Sequence, residues 1–158
     1  MKNKKVVLVI AAVLTALICT VITAGFSCSF FNKTTITDVA KRLKDDWGVI
    51  LPENAELLYT ASEMGFPGDG EVFYVIKLEK EPVEYNLSVQ RDKFFESEYD
   101  KWFNFLIKNS SDEMPNEYVH DWETEYLWKC ITAPVSSNFL NMIYYPEKSE
   151  LYVLIVFM

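Results

Sequence analysis

Between Val6 and Phe26 the chain runs for 21 residues without a charge or a proline and with one glycine. As a helix such a run rises about 1.5 Å per residue and reaches roughly 30 Å, the thickness of a bilayer's hydrocarbon core. Its backbone polar groups can pair within the helix, and its threonine hydroxyls can bond back to carbonyls one turn earlier. Lys2, Lys4 and Lys5 precede the run, and only Lys33 stands close behind it. The positive-inside rule then keeps residues 1–5 in the cytoplasm and carries the bulk of the chain outside. The expected organisation is a transmembrane signal anchor over 6–26, a tether over 27–36 and an extracytoplasmic domain over 37–158. The expected location is the cell membrane, crossed once.

The run is longer than the roughly 7–15 residues of a secretory h-region, and Thr23-Ala24-Gly25 is an imperfect exit, which favours a retained anchor over cleavage. Lipidation at Cys28 is the third route. Ser27 suits it, but Phe26 stands where a lipoprotein signal carries a small or β-branched residue.

Beyond the run the chain turns acidic. Three of the 15 basic side chains precede it, so 12 basic residues face 23 acidic ones from Asn32 onward, a formal charge of −11. Such a field repels nucleic acid and anionic headgroups and attracts cations or basic peptides. The 127 residues from Asn32 suffice for one domain with its own core. Cys19, Cys28 and Cys130 show neither metal-type nor redox-type spacing. A Cys28–Cys130 disulfide and two isolated thiols both remain open.

Thr37 is read as the cap of a first helix, with Asp38 where the helix dipole favours an anion. Val39, Ala40, Leu43 and Trp47 follow helical spacing, Lys41, Arg42, Lys44 and Asp45 face away, and Gly48 then Pro52 end the element. Glu56–Glu63 and Glu71–Glu79 read as strands joined by a glycine-rich loop, an antiparallel hairpin. A second helix is expected over Asp92–Lys108, with Phe95, Tyr99, Trp102 and Leu106 as its apolar stripe and Phe103 alongside. Tyr126–Thr132, Phe139–Tyr145 and Leu151–Met158 read as three more strands. The last is apolar throughout yet too short to span a bilayer, so it must be paired on both sides and covered on at least one face. The fold class is therefore α+β: about five mainly antiparallel strands with helices packed on one face.

The loop Gly65-Phe66-Pro67-Gly68-Asp69-Gly70-Glu71 is the best candidate site. Its glycines can expose backbone amides, Asp69 and Glu71 offer carboxylates, and Glu63 stands across the hairpin. A divalent cation, calcium, is one reading. The alternating acidic ligands and distant glutamate of an EF-hand are missing, and a turn aspartate bonded to its own backbone is the plainer one.

This hairpin, with LPENAELLY before the loop, resembles uncharacterised membrane-anchored or secreted proteins of Gram-positive bacteria in which a Gly-Phe-His-Gly-Asp-Gly-Glu-like loop joins two early strands. The likeness spans roughly 51–78. It implies the hairpin topology and an envelope location. Pro67 stands where histidine is usual, and the resemblance lends no catalytic residue.

His120 is the only histidine and precedes Asp121. Neighbours on an extended chain point to opposite sides, and no serine sits in a nucleophile elbow. A surface or capping role is expected, with His120→Ala leaving folding intact. The second helix carries more large apolar residues than one face can hide, since Phe105 and Ile107 diverge from the stripe. Part of that helix, with Trp102 and Phe105, or its neighbour Trp122, is therefore expected in an exposed patch for a partner.

Together these features describe a membrane-tethered binding or interaction module rather than an enzyme, with no cofactor. One alternative is a self-protection protein that sequesters a basic peptide or toxin. The other is an envelope enzyme using Glu63, Asp69 and Glu71 in a cleft.

Overall fold

A computed structural model describes residues 34–64, 69–110, 113–134 and 136–158. The apolar run, Cys28 and the middle of the glycine-rich loop lie outside them. So do the expectations of a membrane span, of lipidation and of a Cys28–Cys130 disulfide. Among the described residues no helix is long and apolar enough to cross a membrane.

Helix α1 spans Ile36–Trp47. Its cap is Thr35, two residues before the expected Thr37. Thr35 has Asp38 three residues on, so a reciprocal capping box forms: the Asp38 amide donates to the Thr35 hydroxyl at 3.3 Å, and the Thr35 amide donates to the Asp38 carboxylate at 3.0 Å. Gly48 closes the helix in the left-handed region at φ 68°. Arg42, expected to face away, donates to the Tyr74 hydroxyl at 3.0 Å.

Strands β1 (Glu56–Met64) and β2 (Gly70–Lys77) form the anticipated antiparallel hairpin. Helix α2 (Lys93–Asn109) starts where Asp92 accepts from the amides of Phe94 and Phe95 at 2.8 and 3.2 Å. Strands β3 (Leu127–Thr132), β4 (Phe139–Tyr145) and β5 (Glu150–Phe157) complete one antiparallel sheet in the order β1-β2-β5-β4-β3.

The C-terminal strand thus lies at the centre, paired with β2 and β4. Its side chains alternate between two cores. Leu151, Val153 and Ile155 join Val39 and Leu43 of α1, while Tyr152, Leu154 and Val156 join Phe95, Tyr99, Phe103 and Leu106 of α2. The two helices therefore cover opposite faces, correcting the expectation that they share one. The reason is in β5 itself, which is apolar at both parities and must be shielded twice.

The stretch 113–126, in which sequence patterning leaves His120–Glu125 untyped, is pinned across α2 by polar and aromatic contacts. Tyr152 donates to the Glu117 carbonyl at 3.2 Å, and Tyr126 donates to Glu96 at 2.6 Å. Trp122 Nε1 donates to Asp100 at 3.0 Å, and His120 Nε2 meets the same oxygen at 2.5 Å. The His120 side chain is 9 % exposed and packs between the rings of Phe103, Tyr99 and Trp122, at centroid distances of 4.8, 5.1 and 4.5 Å. Its partner is Asp100, one helix away, rather than the adjacent Asp121. The surface role expected of it is thus corrected to a packed one.

Removing this ring leaves a void among Tyr99, Phe103 and Trp122 and takes one hydrogen-bond partner from Asp100, so His120→Ala should lower unfolding stability by about 1–3 kcal/mol in denaturant titration. Burial, opposed by Asp100, holds the His120 pKa below its ordinary value. The unfolded chain therefore takes up this proton first, and the stability it carries is present above about pH 6.5 and is lost as pH falls below that. His120→Gln should shrink the difference between melting temperatures at pH 7.5 and pH 5.

Candidate ligand-binding cleft

At the hairpin end of the sheet the two sequence candidates, the acidic loop and the surplus aromatics of α2, meet. Glu63 and Glu71 are direct cross-strand partners, so both side chains stand on the α2 face. The last turns of α2 bring Trp102 and Phe105 to the same place, and Phe157 and Met158 close the bottom. With Asp69 at the rim they enclose a cleft of about 360 Å³.

Gly70 makes the close hairpin approach possible. It sits at φ 148°, and a Cβ there would lie 2.0 Å from the Glu63 carbonyl oxygen. No other residue fits that contact without moving β1.

Glu71 is the unusual group. It is 2 % exposed, and together with Asn141 it makes up the buried polar or charged residues described. Its Oε2 has no hydrogen-bond partner among the described residues, and none of Glu63, Asp69 and Glu71 forms an ion pair there. Burial, then the neighbouring Glu63 charge, pushes its pKa up. A carboxyl held this way is short of positive charge. Glu63 is half-buried and Asp69 exposed.

The opposite wall is aromatic. Phe105 is 49 % exposed, Trp102 is half-buried against Phe139, and Lys101 already places its ammonium 4.5 Å from the Trp102 ring centre. Trp122, by contrast, packs among Phe95, Tyr99, His120 and Tyr126. It is the helix, not Trp122, that supplies the open apolar surface here. Among the described residues no three His, Cys, Asp or Glu side chains come together as a metal ion requires. Glu63, Asp69 and Glu71 therefore do not converge as a calcium shell.

A second groove, of about 320 Å³, runs between the start of α2 and the β3–β4 edge, lined by Phe94, Trp128, Cys130 and Phe139 with Asp92 and Glu98. Phe94 is 76 % exposed, and the exposed Cys130 forms no disulfide among the described residues, its thiol pKa raised by desolvation. Sequence patterning missed this groove, as it missed Phe157 and Met158. Both depend on which strand lies beside which, and nothing local signals that.

A raised carboxyl pKa favours the folded state below the unfolded value, near 4.5, and the advantage is lost as pH rises through the folded value. Glu71→Gln should therefore raise the melting temperature at pH 7.5, by about 3–5 °C for a gain of about 1 kcal/mol, and the gain should vanish near pH 4. Gly70→Ala should do the reverse at every pH, through loss of the β1–β2 register.

No protein-family model, curated protein or solved structure matches this chain.

Proposed function

We propose that this chain is a membrane-tethered extracytoplasmic binding module whose cleft between the hairpin tip and α2 holds a cationic peptide or protein segment. The observation that carries the reading is Glu71, a buried carboxyl with an unpartnered oxygen, no ion pair among the described residues and a second carboxylate directly opposite. Keeping such a group in the fold costs stability, and a cation supplied from outside removes that cost. The aromatic wall supports the same reading, because Trp and Phe rings attract cations and shed water readily. The acidic balance beyond Asn32 would draw basic partners and repel nucleic acid.

In this proposal Val6–Phe26 anchors the chain in the cell membrane and the acidic domain faces outward, as in the membrane-anchored or secreted Gram-positive proteins that its hairpin resembles. Sequestration of a basic peptide or toxin, a self-protection role, is its most specific form. A second reading, an envelope enzyme, is favoured by one feature: Glu71 is pushed toward its acid form beside Glu63, the pattern of an acid–base pair.

Calorimetric titration of the full chain in detergent micelles with a capped basic peptide should give saturable heat that weakens with salt. Glu63→Gln and Glu71→Gln should each weaken binding about tenfold, roughly 1.4 kcal/mol. No heat at millimolar peptide would remove the binding reading. On intact cells, a C-terminal tag should be open to added protease; a tag protected until lysis would remove the outward orientation. Turnover of a cell-wall glycan or peptide that Glu71→Gln abolishes would establish the enzyme instead.

A further inference from the structure

The shape and chemistry of the cleft narrow the cation it would take. We infer that the cleft is built for the guanidinium of an arginine side chain on a basic peptide, in preference to an ammonium. This rests on the reading of the cleft as a cation site and adds the identity of the cation.

Three features of the cleft point the same way. First, Glu63 and Glu71 are paired residue to residue across β1 and β2, so their Cβ atoms stand roughly 4.5–5.5 Å apart on one face. A planar fork with five N–H donors can address two such carboxylates at once, where a compact ammonium addresses them as a point charge. Second, Glu71 is 2 % exposed, so whatever pairs with it gives up much of its own water. Guanidinium is the more weakly hydrated ion and loses less. Third, the facing wall is Trp102 and Phe105, with Phe157 and Met158 beneath. A flat delocalised cation can lie on such rings and keep its edge toward the acids, which a tetrahedral ammonium cannot.

Lys101 sharpens the contrast. It reaches the Trp102 ring at 4.5 Å and pairs with Glu98 at 3.7 Å, yet forms no ion pair with Glu63 or Glu71. This ammonium of the chain's own α2 therefore leaves the buried carboxyl unneutralised. The cleft's volume of about 360 Å³ is ample for one side chain and a short length of backbone.

The test compares two capped hexapeptides, alternating glycine with arginine in one and glycine with lysine in the other, titrated calorimetrically into the full chain in detergent micelles. The arginine peptide should bind at least about tenfold more tightly. Trp102→Leu and Glu71→Gln should each bring the arginine peptide to within about twofold of the lysine peptide, the arginine affinity falling further than the lysine affinity. Should Trp102→Leu melt early, Glu71→Gln, expected to be the more stable protein, carries the comparison alone. Equal affinities would overturn the guanidinium assignment and leave the cationic-peptide reading standing. An arginine preference that survives Glu71→Gln would place the guanidinium elsewhere and overturn it as well. Heat from neither peptide would overturn both readings together.

Discussion

The sheet depends on the last strand having no polar face. Leu151 to Val156 are all fully buried, and β5 gives hydrogen bonds to β2 on one side and β4 on the other. Burying a large apolar side chain is worth roughly 1.5–3 kcal/mol, so this one strand makes a large contribution. That contribution appears only when two separate layers close over it. Helix α1 with Val39 and Leu43 provides one layer, and α2 with its Phe95–Tyr99–Phe103–Leu106 stripe provides the other. Two helices that precede it in the chain are thus held by the strand that follows them.

The α2 face is the more elaborate of the two. Its core is largely aromatic, with Phe73 edge-on to both Phe103 and Tyr152, and Tyr145 edge-on to Tyr152. Edge-to-face rings leave little room for side chains of other shapes, and their hydroxyls must find partners. The stretch around Glu117 to Tyr126 supplies the Glu117 carbonyl to Tyr152 and the Asp121 amide to Tyr145, while its own Tyr126 donates to Glu96 of α2. His120 and Trp122 share one Asp100 oxygen. A segment whose regular structure is a single 3-10 turn at Asn116–Tyr118 is fixed in this way by the polar needs of the layer beneath it.

Where the aromatic layer ends, at the hairpin tip, its logic breaks. Val156 lies in the core, yet its cross-strand neighbour on β2 is Glu71. A valine or isoleucine at that position would extend the apolar layer without penalty. The acid that occupies it is buried, like-charged with its neighbour and short of partners. This local choice opposes the fold around it, and the proposed cation site rests on that conflict. The aromatic groove at the other end of α2 shows no comparable conflict.

Periodicity and punctuation in the sequence determined the kind and approximate limits of all seven helices and strands described, because those depend on neighbours within a few residues. The same reading marked Glu63, Asp69 and Glu71, since glycines and acids in a tight loop stand out locally, and it found that α2 had aromatics to spare. It placed the first cap at Thr37 because it read Asp38 as an acid facing the helix dipole and not as the partner that completes the box at Thr35. It treated His120 as a surface residue because a lone histidine carries no spacing by which to foresee Asp100 twenty positions earlier. Which face each helix covers, that β5 sits between β2 and β4, and that the acidic loop and the tail of α2 share one cleft were decided by tertiary structure alone. Those outcomes follow from strand order and register, and it takes the burial of the whole sheet at once to choose among them.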